Sequence, residues 1–282
     1  MKRPEVSALL QVKPGTAIEL AAHDAGATPG FKGGKGRARR ELSELADELL
    51  DLQTRLHAQS TAGAADSLLI VVQGTDCSGK DGVAKNVLGM LSPMWQRYAA
   101  FVKPTDEERR HDFLWRIRKQ VPSPGQITMF NRSHYEDVLV VRVHNLVPRR
   151  TWMARYAAIN RFEQGLRDSG VHVLKVMLHV SPEEQMARLR DRLAEPEKRW
   201  KYNPNDVDER ARSADYVEAY ETLLTRCSTA AAPWHVVPAD HKWYRDWAVA
   251  HLLLETLREI NPSYPPADFD LAAEQARLTA QV

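Results

Sequence analysis

The sequence predicts a three-layer α/β/α protein built on a parallel five-stranded sheet. Apolar, β-branched runs alternate with helical stretches along most of the 282 residues. That alternation yields parallel sheets covered on both faces. The first strong run, Leu68-Leu69-Ile70-Val71-Val72, leads into Gly74-Thr75-Asp76-Cys77-Ser78-Gly79-Lys80 and then a helical stretch from Gly82. Strand, G-x-x-x-x-G-K turn and helix, in that order, is the context of a P-loop. The polar clusters after the later strands fall beyond their carboxyl ends, where open α/β sheets collect their ligand groups.

The elements follow in order. Residues 1–36 are rich in Gly, Ala and Lys, show no periodicity and read as an N-terminal arm. Residues 37–260 form the P-loop domain. Within it, Arg37–Gln59 carries leucines at near-helical spacing, an amphipathic helix suited to the domain's outside or to a subunit interface. Arg97–Val102 reads as the second strand and Asp106–Gln120 as one helix, N-capped by Thr105. Ile127–Phe130 is the third strand, and Val138–Val141 reads as helix rather than strand. Trp152–Asp168 is a helix ended by Ser169-Gly170. Val171–Val180 is the fourth strand. Ser181-Pro182-Glu183-Glu184 has the form of a capping box with proline at the first helical position. A charged, proline-broken segment at about 188–212 suits a lid. Ala214–Ser228 is helical, Trp234–Pro238 is the fifth strand and Trp243–Ile260 the last long helix, leaving 261–282 as a tail.

Bulk properties exclude several classes. A net charge of +2 gives no global basic field for nucleic acid. Two cysteines, Cys77 and Cys227, make no disulfide framework and favour a reducing, cytoplasmic setting. No apolar run reaches the length of a membrane span or of a signal segment.

The P-loop carries the first candidate site. Gly74 and Gly79 permit the tight turn, backbone N–H groups and the next helix's dipole favour anions, and Lys80 adds a full charge. Ser78 and Gly82 belong to the same cradle. Asp81 stands where a Ser or Thr usually holds Mg²⁺, and Asp76 sits inside the loop; carboxylates there repel phosphate unless a metal lies between. The second site is Asn131–Asp137, just past the third strand. Arg132 can hold a phosphate bidentately, while Glu136 and Asp137 can ligate or orient Mg²⁺ or simply face solvent as first-turn acids. The third is the lid, whose cations include Arg192, Lys198 and Arg199. Lys103, Arg109 and Arg110 could extend a track for a long polyanion.

Four separated motifs together resemble the polyphosphate kinase type-2 family: GTDCSGKDG after a strand, FNRSHYEDVLVVRV at Phe130–Val143, EPEKRWKYNPND at Glu195–Asp206 and PWHVVPADHKWYRDW at Pro233–Trp247. The likeness spans roughly Arg37 to Ile260. It implies a P-loop kinase fold related to thymidylate kinase, and Mg²⁺-dependent phosphoryl transfer between inorganic polyphosphate and nucleotides, with Mn²⁺ able to substitute. Asp76 and Lys80 match the family's loop acid and lysine, Arg132 its second-motif arginine, and Arg192, Lys198 and Arg199 its lid; Asp81 also follows the family pattern. Where some members carry an aspartate, this chain has Asn131, which shifts the expected metal role to Asp76 and Asp137. The Glu136-Asp137 pair resembles the subgroup that accepts both mono- and diphosphates, implying AMP and ADP as acceptors and ATP as product. A homo-oligomer, dimer or tetramer, is expected, with neither nucleic acid nor membrane as partner. The rival expectations are an ATP-dependent nucleotide or nucleoside kinase and a non-catalytic polyanion-binding protein.

Overall fold

A computed structural model describes residues 5–281. Five parallel strands, β1 (Ser67–Gln73), β2 (Gln96–Ala100), β3 (Ile127–Asn131), β4 (Val171–His179) and β5 (Trp234–Pro238), form one sheet in the order β2-β3-β1-β4-β5. β1 is central because every one of its residues is buried. Its alternate side chains feed two separate cores. Leu68, Ile70 and Val72 face one apolar layer; Leu69 and Val71 face the other. Each such side chain contributes about 1.5–3 kcal/mol on burial, so the run specifies the sheet's middle.

The principal helices are α1 (Val6–Leu10), α2 (Lys35–Thr61), α3 (Lys80–Asn86), α4 (Arg149–Asp168), α5 (Pro182–Ala194), α6 (Asn205–Arg210), α7 (Ser213–Cys227), α8 (Lys242–Ile260) and α9 (Leu271–Thr279). α2 lies along α8 on the first layer. Leu49, Leu52 and Leu56 share that core with Trp247, so the leucine stripe expected on the domain's outside or at a subunit interface is occupied by intramolecular packing. α4 and α7 cover the second layer.

The structure differs from the expected elements in five places. Asp106–Gln120 is not one helix but two helical turns, Asp106–Arg109 and Trp115–Arg118. Asp112 interrupts it by accepting from Leu114 N at 2.8 Å and pairing with Arg118. Val138–Val141 is only partly helical: a 3-10 turn at His134–Asp137 precedes a short helix, Val140–Val143. The box at Ser181 is half-formed, because Ser181 Oγ accepts from Glu184 N while the Glu184 carboxylate takes Arg188 instead. A complete box caps Thr105, with Glu108 reaching back. The expected N-terminal arm is seated on the domain, with Val6, Leu10 and Phe31 in its core. Val6 N and Ser7 N donate to Glu255, and Val12 N to Trp234 O. The expected tail contains α9, capped by Asp270, which buries nothing.

Candidate active site

The end of β1 sets the first element of the site. Gly74 has φ +151°, and a Cβ there would lie 2.6 Å from Ser78 Oγ and 2.8 Å from Leu178 O. Only glycine fits, so the loop can cross close over β4. Ser78 Oγ is buried against this turn and makes no hydrogen bond. Lys80 is buried and folds back, donating to Gly74 O at 2.7 Å and Thr75 O at 3.0 Å. Burial first, and the nearby Arg132 charge second, push its ammonium pKa down, although Asp76, Glu136 and Asp81 oppose the shift.

Helix α5 supports the loop from outside. Gln185 Nε2 donates to Asp76 O at 2.9 Å, and Arg188 donates to Cys77 O at 2.8 Å and Ala239 O at 2.6 Å. Arg188 is therefore a buried strut and not a free lid cation. Arg245, at the start of α8, lies over the first turn of α3. A Cβ on Gly79 would come within 1.8 Å of its Nη1, and one on Gly82 within 2.4 Å of its Nη2. Asp246 pairs with Arg245 at 2.6 Å and also accepts from Asn86. Gly79 and Gly82 thus serve the turn and admit a guanidinium.

β3 brings in the second segment. Arg132 adopts a left-handed φ of +61°. Its Nη2 donates to Asp76 Oδ1 at 2.7 Å, and its Nη1 lies 3.7 Å from Glu136 Oε2. Asn131 Nδ2 donates to Asp81 Oδ1 at 2.8 Å and to the Tyr98 hydroxyl at 2.7 Å. The residue in the unusual Asp81 position is thus tied to the residue in the unusual Asn131 position. Beneath them a buried network holds the turn: Lys175 Nζ meets Glu163 at 2.5 Å and Tyr135 OH at 2.8 Å, and Glu163 also contacts His134 at 3.2 Å.

Two cavities flank this centre. One, of about 450 Å³, is lined by eight cationic side chains, Lys80, Arg132, Arg188, Arg192, Lys198, Lys201, Lys242 and Arg245, against three carboxylates, Asp76, Asp81 and Asp191. The other, of about 160 Å³, is largely apolar, with Leu139, Val140, Met177, Tyr216 and Tyr220 in its wall and Glu136, Asp206, Glu209 and Arg210 among its charged lining. Asp76 and Arg132 line both.

Most of the expected site residues converge here: Gly74, Asp76, Ser78, Gly79, Lys80, Asp81, Gly82, Asn131, Arg132 and Glu136. Arg192 and Lys198 reach the basic cavity, although Arg192 pairs with Asp206 at 3.0 Å and Lys198 with Glu195. Arg199 and Lys103 line neither cavity; Arg199 donates to Leu193 O, and Lys103 is exposed after β2. Asp137 is the main correction. Its carboxylate turns to Arg155 at 2.8 Å and lines neither cavity. The buried Tyr135 fixes the rotation of the 3-10 turn, so Glu136 faces the loop and Asp137 faces α4. Three groups escaped the sequence reading. Arg245 lies within the Pro233–Trp247 motif, which gives it no individual role, and the glycines at 79 and 82 are the signal that something large approaches. Tyr216 and Tyr220 fall in Ala214–Ser228, which reads only as a helix. Gln185 carries no motif.

Burial pushes the Glu136 carboxyl pKa up, against the pull of Arg132 and Lys80. Burial likewise raises Asp137 to about 6, because desolvation outweighs Arg155. The native state therefore prefers the Asp137 proton. Its stabilising contribution is complete below the ordinary carboxyl value of 3.8 and is lost as pH rises through about 6. Urea unfolding of the parent and of Asp137→Asn should diverge in this window: the parent loses stability relative to the variant between pH 4 and 6, and the difference is flat above pH 7. A constant difference from pH 4 to 7 would contradict the placement.

The donor chemistry fits a hard divalent cation. Mg²⁺ is usually held by one or two carboxylates plus substrate phosphates, and Asp76 stands beside Glu136 on one side and Asp81 on the other. Among the described residues no group of three or more His, Cys, Asp or Glu could form a cage by itself. None of their helices is long and apolar enough to cross a membrane.

Fold and site together define a P-loop phosphotransferase with a strongly cationic cavity. A family profile described as Polyphosphate kinase 2 (PPK2) matches residues 33–265. A relative named AMP/ADP-polyphosphate phosphotransferase, from Meiothermus ruber, is 44% identical over 255 residues, covering 90% of this chain and 94% of the relative. An ADP-polyphosphate phosphotransferase from Rhodopseudomonas palustris is 38% identical and covers 79% and 80%. The crystal structure of polyphosphate kinase 2 from Arthrobacter aurescens TC1 superposes with a TM-score of 0.95 at 42% identity, covering 99% of this chain and 98% of that one. The chain belongs to the polyphosphate kinase 2 family.

Proposed function

We propose that this protein transfers the terminal phosphoryl group of inorganic polyphosphate to nucleoside monophosphates and diphosphates, taking AMP to ADP and ADP to ATP. The carrying observation is that Asp76 and Arg132 form a shared wall between a strongly cationic cavity and an apolar, tyrosine-lined one. A polymer of phosphates suits the first. A nucleoside suits the second, where Tyr216 and Tyr220 offer aromatic surface to the base. The reacting phosphates then meet at the wall.

Transfer is in-line: an acceptor phosphate oxygen bonds to the terminal phosphorus as the bridging P–O bond of the polymer breaks. The acceptor phosphate is already ionised at neutral pH, so no strong base is required. Lys80 and the loop N–H groups bind the donor phosphates. Arg132 keeps its fork between Asp76 and Glu136, where it can stabilise charge on the transferring group. Asp76, with Glu136 or Asp81, is the fitting holder of Mg²⁺; the bound ion would offset phosphate charge where donor and acceptor meet. Arg192 must exchange Asp206 for phosphate when substrate binds. Names of relatives include both AMP and ADP acceptors, which supports the dual preference proposed here.

The test is the donor. Purified protein with Mg²⁺, polyphosphate and AMP is expected to make ADP and then ATP with no ATP supplied. Strict dependence on ATP as donor would make it an ordinary nucleotide kinase instead. The cationic cavity carries a second expectation. KM for polyphosphate should rise roughly as a power of salt concentration between 50 and 200 mM, by analogy with other polyelectrolytes. KM for the nucleotide should change far less. Equal salt slopes for both substrates would argue against separate cavities.

A further inference from the structure

We propose that Gln185 is a positioning residue that ties helix α6 of the lid to the P-loop, so that the setting of Asp76 depends on the seating of that helix. The proposal rests on the phosphoryl-transfer reading of the site.

The side chains of Gln185, Arg188 and Arg192 lie at i, i+3 and i+7 along α5, on one face of the helix. Together they address the P-loop and the lid, and each also lines a cavity, Gln185 the apolar one and Arg188 and Arg192 the cationic one. The loop needs outside support. Its N–H groups serve an anion only if the carbonyls point away from it, and Cys77 sits at φ +63°, a conformation costing an L-residue roughly 1–2 kcal/mol. Arg188 holds Cys77 O and Ser78 O, and its other contacts are Ala239 O, Asp240 O and its own helix neighbour Glu184. That restraint belongs to the fixed frame.

Gln185 is different because its two ends lie on different parts. Its Nε2 donates to Asp76 O at 2.9 Å; its Oε1 accepts from Arg210 Nη1 at 2.5 Å. A carbonyl on one side and a guanidinium on the other leave only one orientation of the amide. Arg210 ends α6 and also donates to Pro182 O at 3.1 Å. The same helix is pinned at Asp206 by Arg192 and at Glu209 by His144 and the Tyr216 hydroxyl. When α6 swings away, Gln185 loses its charge-assisted partner and Asp76 O loses a fixed donor. Asp76, which pairs with Arg132 at the wall between the cavities, is then no longer held in register. Seating of the lid over the acceptor would thereby complete the reacting centre.

Gln185→Met keeps the length of the side chain and removes both bonds. Gln185→Glu keeps an acceptor for Arg210 but removes the donor to Asp76 O. Each should lower kcat by about 10–100-fold, the scale of a small misplacement of reacting groups, with KM for polyphosphate within about twofold of the parent. A purely structural role would move the melting temperature and leave kcat per folded molecule unchanged. In a double-mutant cycle with Arg210→Met, the double variant should be no slower than the worse single variant. A kcat within twofold of the parent, or losses that multiply in the double variant, would overturn the proposal. Hydrogen exchange of residues 75–79 without substrate gives an independent readout: it should quicken in both Gln185→Met and Arg210→Met, and an unchanged rate in Arg210→Met would overturn the coupling. Should the parent make no ATP from polyphosphate, the function reading fails, and exchange alone decides the link.

Discussion

Replacing Lys80 with methionine is expected to lower kcat for polyphosphate-driven ADP formation by about 10²–10³-fold, the range seen when one preorganised charge-stabilising donor is removed from an active site. The fold should survive. Lys80 is buried among loop carbonyls, and burial already disfavours its charged form. Methionine fills the same volume without a charge to desolvate, so urea unfolding at pH 7 should show no loss beyond about 1 kcal/mol, the scale of its hydrogen bonds. Loss of activity with retained stability assigns Lys80 to phosphate. Equal trace rates in parent and variant would leave a binding protein without turnover.

Arg132→Lys should cost about as much, although the charge is kept. Arg132 reaches two carboxylates from one planar group, Asp76 at 2.7 Å and Glu136 at 3.7 Å. A lysine ammonium is a single point charge on a flexible stem and cannot present the same fork to a phosphoryl group. The loss is expected in kcat, about 10²-fold, for both AMP and ADP. KM for polyphosphate should change little, because seven other cations line that cavity. Steady-state kinetics with each acceptor separates the outcomes. A rise in polyphosphate KM at unchanged kcat would make Arg132 a donor-binding residue only.

Much of this centre was legible because it is local in sequence. Gly74, Gly79 and Lys80 fall within seven residues, directly after a strand whose apolar run leaves no alternative assignment. Asn131 and Arg132 follow the neighbouring strand, and parallel pairing of β1 with β3 puts Val72 beside Asn131. Arg245 and Gln185 could not be read in the same way. They arrive from helices more than a hundred residues further on, and only the packing of α8 and α5 against the loop brings them there. Glu136 and Asp137 show a different limit. The sequence offers two adjacent acids, but which one faces the loop depends on the rotation of a 3-10 turn, and the Lys175–Glu163–Tyr135 network sets that rotation from below. The break at Asp112 was invisible for a related reason. Its side chain competes with the backbone for Leu114 N, a contest that periodicity does not weigh.

In the proposed reaction polyphosphate itself is the phosphoryl donor. A phosphorus NMR time course with purified protein, Mg²⁺, polyphosphate and AMP, free of ATP, tests it most directly. The β-phosphate signal of ADP should appear first and the γ-phosphate of ATP after it, as polymer phosphate is consumed in equal amount. A polymer signal that stays constant, with nucleotide phosphorylation appearing only after ATP is added, would make ATP the donor and rule polyphosphate out.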